Sequence, residues 1–233
     1  MTRGCFRKCK FCVNQKYDRV FKNSDLKEFY DPSRKQICLL DDNFFGYKEW
    51  KILLKELIDT GRPFKFKQGL DERLLTDEKC EMLFKSNYKG DFVFAFDYIK
   101  DYEIIEEKLK MIRRHTDIKR ITFYVLCGFD GTDINDIENT FKRIELLFKY
   151  QCKPYIMRYV SKDDAPYEKS DLRGIYITLA RWCNQQSLVK KYSFREFCTK
   201  DTEKAPKRYL EYFLNKYPDV ANRYVDIKFS DFS

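Results

Sequence analysis

Five short apolar runs recur along the chain at nearly equal intervals, and this spacing constrains the fold more than any other feature. The runs are Gln36–Leu40, Pro63–Lys67, Asp91–Phe96, Arg120–Cys127 and Pro154–Tyr159. Residues near their centres are Leu39, Phe66, Phe94, Tyr124 and Ile156, which are 27, 28, 30 and 32 residues apart in turn. Because one strand and its crossover helix occupy about this length, the spacing predicts an α/β protein with a parallel sheet.

The segments between these runs have helical patterns. Tyr47–Thr60 places its apolar residues on one helical face and stops before Gly61 and Pro63, a common helix stop signal. Asp101–His115 and Asp133–Tyr150 are also amphipathic and have acidic starts. The sequence therefore predicts helices that pack on the sheet.

Each of the five runs ends in a polar residue or cluster. In chain order these are Asp41-Asp42-Asn43, the stretch from Gln68 to Arg73, Asp97, Asp130 after Gly128, and Arg158. Parallel strands end at one edge of their sheet, where barrel-type α/β enzymes build their active sites. The alternative is that loops are polar in general and that helix N-caps favour Asp, which suits Asp101 and Asp133. We predict a shared site at the strand ends.

Composition and charge narrow the class of protein. The chain has 233 residues, 43% of them hydrophobic, which is enough for the core of one α/β domain. It has no apolar stretch of membrane-spanning length and no signal-peptide pattern, so we expect a cytoplasmic protein without a membrane partner. The net charge of +9 suits an anionic partner such as a nucleic acid, although a Lys-rich composition explains it equally well.

Nine cysteines in a chain expected to be cytosolic argue against a disulfide framework. Cys38 and Cys127 lie inside apolar runs, where we expect buried thiols. Cys5, Cys9 and Cys12 instead form a C-x3-C-x2-C run. Three clustered thiolates are one ligand short of the four that structural zinc and ordinary iron–sulfur clusters take. The run therefore predicts a metal site with an open position, or else a zinc site completed by a distant cysteine.

The run from Cys5 to Cys12, with an aromatic residue just before its last cysteine, resembles the signature of the radical S-adenosylmethionine (radical SAM) enzymes. The strand-end sequences LLDDNFFG and KQGLDERLL look most like the branch that carries a cobalamin-binding domain before the core, a domain absent from these residues. The resemblance implies an incomplete (β/α)6 barrel of parallel strands over residues 1–185. Because at most four residues precede Cys5, we expect its first strand to be short or missing.

The resemblance also implies two cofactors. Cys5, Cys9 and Cys12 would ligate a [4Fe-4S] cluster, and SAM would bind its open iron. In the family, the reduced cluster cleaves SAM to a 5′-deoxyadenosyl radical, which abstracts hydrogen from the substrate. The electrons would come from an external flavodoxin- or ferredoxin-like donor. The shared core does not encode the substrate, and RNA and nucleotides are among the candidates.

Family positions assign expected SAM contacts to several residues. Phe11 would support the adenine, and Gly128 would lie close to it. Asp97 is a candidate for a ribose hydroxyl. The strand end that meets the methionine ammonium of SAM, which requires an acidic or amide partner, carries Asp41, Asp42 and Asn43. Gln68, Asp71 and Arg73 follow the next strand, where Asp71 would pair with an ammonium or a hydroxyl. Arg73 would pair with the SAM carboxylate, although an ion pair with Asp71 or Glu72 explains it nearly as well.

Residues 186–233 break the strand–helix rhythm and form a predicted helical C-terminal extension. Lysines and arginines are interleaved there with tyrosines. Such a segment can bind nucleic acid, because basic groups contact phosphates and rings stack on bases. The competing interpretation is a helical lid with packed tyrosines and solvated lysines. A second hypothesis for the whole chain follows: an iron–sulfur or zinc module that binds nucleic acid and does not cleave SAM.

Overall fold

The computed structural model describes residues 1–161, 163–200 and 204–232. Contacts between Cα atoms divide the chain into two compact units. The first unit comprises Met1–Ala95 and Glu103–Ile121, and the second comprises Phe96–Tyr102 and Thr122–Ser233. Within the described residues, every helix is too short or too polar to cross a lipid bilayer.

The first unit contains two strand pairs. An antiparallel pair joins β1 (Thr2–Arg3) to β2 (Phe21–Lys22), and a parallel pair joins β3 (Ile37–Leu39) to β4 (Phe64–Phe66). The remaining elements of this unit are α1 (Leu26–Phe29), α2 (Trp50–Asp59), α3 (Asp77–Phe84), β5 (Phe92–Ala95) and, except for its first residue, α4 (Tyr102–His115). Short 3₁₀ turns follow β3 and β4 in this unit, at Phe44–Gly46 and Glu72–Leu74, and a third turn, Ile99–Asp101, belongs to the second unit.

Alternation along β3 decides which side chains enter the core of the first unit. Ile37 and Leu39 are buried, whereas Cys38 between them is exposed. Successive side chains of a strand point to opposite faces, so an apolar run does not bury every member. The prediction that Cys38 is buried is therefore wrong, whereas Cys127 is buried as predicted.

Aromatic rings fill much of this core. Phe44, which follows β3, lies with its ring centroid 4.5 Å from that of Phe66 in β4. Tyr88 stacks on Phe92 with centroids 4.3 Å apart, and its hydroxyl oxygen accepts the Phe66 N–H at 3.1 Å. The core thereby extends beneath the ends of β3 and β4, where the polar clusters begin.

The second unit is built on a parallel strand pair and a series of helices. β6 (Ile121–Cys127, in this unit from Thr122 onward) pairs in parallel with β7 (Lys153–Arg158). α5 (Ile134–Lys149) connects the two strands. The Asp133 side chain caps α5 by accepting the backbone N–H groups of Asn135 and Asp136. The later helices are α6 (Arg173–Cys183), α7 (Gln186–Lys191), α8 (Phe194–Lys200), α9 (Lys204–Lys216) and α10 (Pro218–Tyr224).

The α/β class, the parallel pairing and the helices after residue 186 are confirmed. All five predicted strands are present, with ends within one residue of those expected. The described strands form no closed barrel, so the incomplete (β/α)6 barrel stays a prediction, as does the boundary after residue 185. β1 is two residues long, and its partner is the antiparallel β2.

A buried arginine that the sequence did not single out holds the second unit together. Arg143 in α5 is only 2% exposed. Its Nη1 donates to the carbonyl oxygens of Phe96, Asp97 and Leu126 at 3.0, 2.8 and 2.8 Å. These carbonyls belong to the ends of extended segments, so one buried guanidinium connects those ends to α5 by hydrogen bonds.

We expect Arg143→Leu to lower the free energy of unfolding by about 3 kcal/mol or more, because each buried acceptor left without a donor costs about 1–3 kcal/mol. Urea denaturation measures the loss. The matched control is Lys142→Leu on the same helix, which removes the partly exposed pair with Glu138 at 3.1 Å and should cost about 0.5 kcal/mol or less. Equal losses in the two variants would contradict this account.

Candidate functional site

The three clustered cysteines lie in a loop between β1 and β2, and all three are half-buried. Two turn bonds shape the loop: the Cys9 N–H donates to the Arg7 carbonyl at 2.8 Å, and the Cys12 N–H donates to the Cys9 carbonyl at 2.9 Å. Two sulfurs also accept backbone N–H groups, Cys5 from Arg7 at 3.3 Å and Cys12 from Asn14 at 3.4 Å. Such donors stabilise a thiolate, the form that ligates a metal.

Gly4 sets the entry to this loop. Its φ is +87°, a region that favours glycine, and a Cβ there would lie against the Arg19 carbonyl oxygen and 3.2 Å from the Tyr17 Cβ. The Gly4 N–H donates to Asp42 Oδ2 at 2.7 Å. The backbone therefore approaches its neighbours too closely for any side chain immediately before Cys5.

The three residues of the polar cluster after β3 make different contacts. Asp41 is 2% exposed, and its carboxylate accepts the Thr2 N–H and, at 2.6 Å, the Thr2 hydroxyl. Asp42 accepts the Gly4 N–H. Asn43 alone of the three contacts a cysteine, since its Nδ2 lies 3.4 Å from Cys5 Sγ. Asp41 and Asp42 thus hold the backbone before the loop, and Asn43 faces the loop itself.

Asp71, after β4, is the centre of a charged network beneath the loop. Its carboxylate accepts Arg7 Nε and Arg73 Nε at 2.8 Å each and Asn43 Nδ2 at 3.3 Å. Burial tends to raise the pKa of Asp71, but the hydrogen bonds and charges of Arg73 and Arg7 outweigh burial and hold the pKa below its usual value. An ionised Asp71 therefore joins the loop to the end of β4.

Arg73 takes the ion-pair alternative that the sequence left open. Besides its bond to Asp71, its Nε lies 3.7 Å from Glu72 Oε1. The Arg73 guanidinium is thus paired with the ionised Asp71 within the first unit. The observed geometry accounts for Arg73 without a SAM carboxylate, and Asp71 is likewise accounted for by its cationic neighbours.

Glu72 also belongs to the candidate site, although the sequence pattern did not single it out as a buried acid. It is 2% exposed, and its Oε2 accepts the Ala95 N–H at 3.0 Å. Burial and the neighbouring Asp71 charge raise the pKa of Glu72 to about 8. The burial of a charged residue inside a short polar stretch cannot be predicted from the sequence, because the direction of its side chain depends on the geometry of the 3₁₀ turn.

One buried polar atom beside the loop lacks a partner. Among the described residues, Asn43 Oδ1 is the buried side-chain oxygen or nitrogen without a hydrogen bond. The Nδ2 of the same amide is engaged by Cys5 and Asp71, which fixes the amide plane. A buried acceptor left in this state suits a donor from a bound molecule, such as the ammonium group expected near this position.

The other predicted contacts belong to both units of the chain. Phe11 is half-buried in the loop, and Gln68 is exposed in the turn after β4. Asp97 and Gly128 belong to the second unit. The Asp97 carbonyl accepts a bond from Arg143, and the Gly128 N–H donates to Asp136 Oδ2 at 2.8 Å. Gly128 has a φ of +72°, and a Cβ there would lie 3.2 Å from the Tyr167 Cβ, while its expected closeness to the adenine stays a prediction.

The loop fits an iron–sulfur cluster by its donor chemistry but not as an assembled ligand set. Its three thiols form no disulfide, and the cationic residues Arg7, Lys8 and Lys10 lie between them in the sequence. Within the described residues, however, no group of three or more His, Cys, Asp and Glu side chains is placed to hold a metal ion. Binding would require the loop to draw its sulfurs together.

Comparison with known proteins adds no assignment. No protein-family model matches the sequence, and the search of curated proteins finds no match. The functional argument therefore depends on the residues of the loop and on their surroundings.

We expect Gly4→Ala to lower the free energy of unfolding by at least about 2 kcal/mol, because strained backbone and steric overlap add together. The control is Gly90→Ala, with a similar φ of +78° and open space around its Cβ position. It should cost only about 1 kcal/mol. Urea denaturation and the rate of thiol labelling measure both effects, and labelling should accelerate in Gly4→Ala alone. Equal behaviour of the variants would contradict the close approach at Gly4.

The raised pKa of Glu72 predicts a stability that falls as the pH rises. Between the ordinary pKa of 4.5 and about 8, the folded protein keeps a proton that the unfolded chain loses. Stability should therefore fall across this window, by at most about 1.4 kcal/mol per pH unit. Glu72→Gln should flatten this part of the profile in urea denaturation at several pH values.

The control for this prediction is Glu81→Gln. A hydrogen bond from Lys85 lowers the pKa of Glu81, so its contribution is lost only as the pH falls below the usual glutamate range. The profile above pH 5 should be the same as in the unsubstituted protein. A slope that persists in Glu72→Gln would show that another group titrates there.

Proposed function

We propose that this chain is a radical SAM enzyme, in which Cys5, Cys9 and Cys12 ligate a site-differentiated [4Fe-4S] cluster. One observation carries the proposal: the C-x3-C-x2-C run lies in a half-buried loop whose first cysteine contacts Asn43 of the Asp71 network. A three-cysteine ligand set leaves a coordination position for a substrate or cofactor. When bound, the cluster and SAM supply reductive SAM cleavage and hydrogen abstraction from a substrate.

The electrostatics of the loop support this assignment. Lys8 pairs with Asp18 at 2.5 Å, and Arg7 pairs with Asp71, so both cations are held beside the cysteines. Nearby positive charge favours the more negative, reduced state of a cluster. An external flavodoxin- or ferredoxin-like donor would supply the electron.

The Asn43 amide supports a SAM site next to the loop. Its Oδ1 is buried and unpaired among the described residues, and its Nδ2 contacts Cys5 Sγ. We assign this oxygen to the methionine ammonium of SAM, because an amide oxygen accepts a bond from a cationic donor. Asp71 positions the amide, and it also holds Arg7 of the loop. Asp41 and Asp42 serve the loop backbone in this proposal.

The test is anaerobic reconstitution with iron and sulfide, followed by incubation with SAM and a strong reductant. The unsubstituted protein should become brown, bind a four-iron cluster and release 5′-deoxyadenosine. Cys5→Ala, Cys9→Ala and Cys12→Ala should each lose SAM cleavage, because each removes one of the three ligands. The matched control is Cys38→Ala, an exposed cysteine outside the run, which should retain both properties.

Two outcomes would overturn the proposal. A protein that binds the cluster but never cleaves SAM would have an iron–sulfur role without this chemistry. A protein that takes up zinc in place of iron, through the same three cysteines and a fourth distant one, would be a zinc module. Iron and zinc content per chain distinguishes the two results.

A further inference from the structure

Only some of the cationic side chains in the basic C-terminal segment of the second unit form ion pairs with described residues. Residues 190–228 contain ten Lys and Arg residues. Four of them form ion pairs, namely Arg195–Asp226, Lys216–Asp171, Arg223–Glu138 and Lys228–Glu196. The other six have no ion-pair partner among the described residues: Lys190, Lys191, Lys200, Lys204, Lys207 and Arg208. The remaining cations come early in the segment.

The tyrosines divide in a similar way. Tyr224 is buried and stacks on Phe141 with centroids 5.5 Å apart, and the Tyr209 ring lies directly against Gly174. These rings belong to the helical packing, as the lid interpretation predicts. Tyr192 differs, because its half-buried ring lines an open cavity beside the unneutralised lysines.

This cavity has a volume of about 360 Å³ and lies among α6, α7 and α8. Its lining residues are Arg181, Gln185, Leu188, Tyr192, Phe197 and Lys200. The buried Trp182 donates its indole N–H to the Tyr192 carbonyl at 3.0 Å, so the backbone that carries the ring is held in place. The cavity is therefore lined by an aromatic ring, by the apolar side chain of Phe197 and by the cations Arg181 and Lys200.

The lysines next to Tyr192 are close to its ring. The ammonium groups of Lys191 and Lys200 lie 5.2 and 4.5 Å from the ring centroid. Cation–π contacts at exposed sites are weak, so a flat apolar ligand can displace one ammonium from the ring. The displaced ammonium would then be free to contact an anionic group of the same ligand.

The cationic surface continues beyond the cavity. α8 ends at Lys200 and α9 begins at Lys204, so their Cα atoms are at most about 15 Å apart, four steps of about 3.8 Å. Lys207 and Arg208 follow on the exposed side of α9. Residues 190–208 contain seven Lys and Arg against three Asp and Glu. The excess positive charge thus extends over more than a single phosphate.

We propose that this surface binds single-stranded nucleic acid, with one base stacked on Tyr192 and the flanking phosphates on Lys200 and the first turn of α9. Stacking and phosphate contact together are how proteins hold single strands without reading their sequence. A double helix keeps its bases stacked on one another, so it offers no base face to Tyr192. The inference goes beyond the proposed SAM chemistry and does not depend on it.

The test is fluorescence anisotropy of the full chain with a labelled oligouridylate over a series of KCl concentrations. Tyr192→Leu should weaken binding by about 5- to 100-fold, the range for losing one stacked base. Lys200→Gln should reduce the slope of log affinity against log salt by about 0.7, the value for one phosphate contact on a single strand. Thermal unfolding checks that both variants fold, and the exposed Lys200 keeps the test valid if Tyr192→Leu does not fold.

The matched control is Arg223→Gln, which removes a cation from the same segment that is already paired with Glu138 at 3.0 Å. Its affinity should stay within about twofold of the unsubstituted protein, because distant exposed charges are screened. The proposal is wrong if this variant weakens binding as much as Lys200→Gln. It is also wrong if duplex RNA or heparin binds as well as the single strand, or if UMP competes as well as the oligonucleotide does.

Discussion

The Asp71 carboxylate is the interaction on which the candidate site depends. It accepts bonds from Arg7 in the cysteine loop and Arg73 after β4, and Asn43 after β3 completes the network. Three separate chain segments therefore meet at one buried charge. The hydrogen bonds from two arginines offset the desolvation of this carboxylate, and removal of Asp71 would take this partner from both cations. The loop position and the Asn43 amide orientation follow from this arrangement.

The same charge explains why neighbouring acids differ in state. Asp71 has two arginines and stays ionised, whereas Glu72 is buried beside that negative charge and holds its proton up to a pH of about 8. The protonated Glu72 still accepts the Ala95 N–H at the end of β5. Asp71 thus binds Arg7 of the cysteine loop, and Glu72 accepts a backbone N–H at the end of β5, although the two acids are adjacent in sequence.

The positions of strands and helices were predictable from the sequence, whereas the directions of individual side chains were not. The five strands and the helix that starts after Asp133 were predicted closely, because each depends on a local pattern or cap. Cys38 was predicted as buried and is exposed, since its direction follows from the register of β3. The importance of Arg143 was missed, because three carbonyls distant in sequence create its role.

The α/β class, the positions of the strands and the clustering of Cys5, Cys9 and Cys12 follow from the sequence alone, because spacing along a chain is a local property. The contact of Asn43 with Cys5, in contrast, follows from the folded arrangement of β3 and the cysteine loop. The tertiary structure also decided that Arg73 pairs with Asp71, and which C-terminal cations lack a described ion-pair partner. These choices depend on side-chain direction and on contacts between distant segments, which no local pattern encodes.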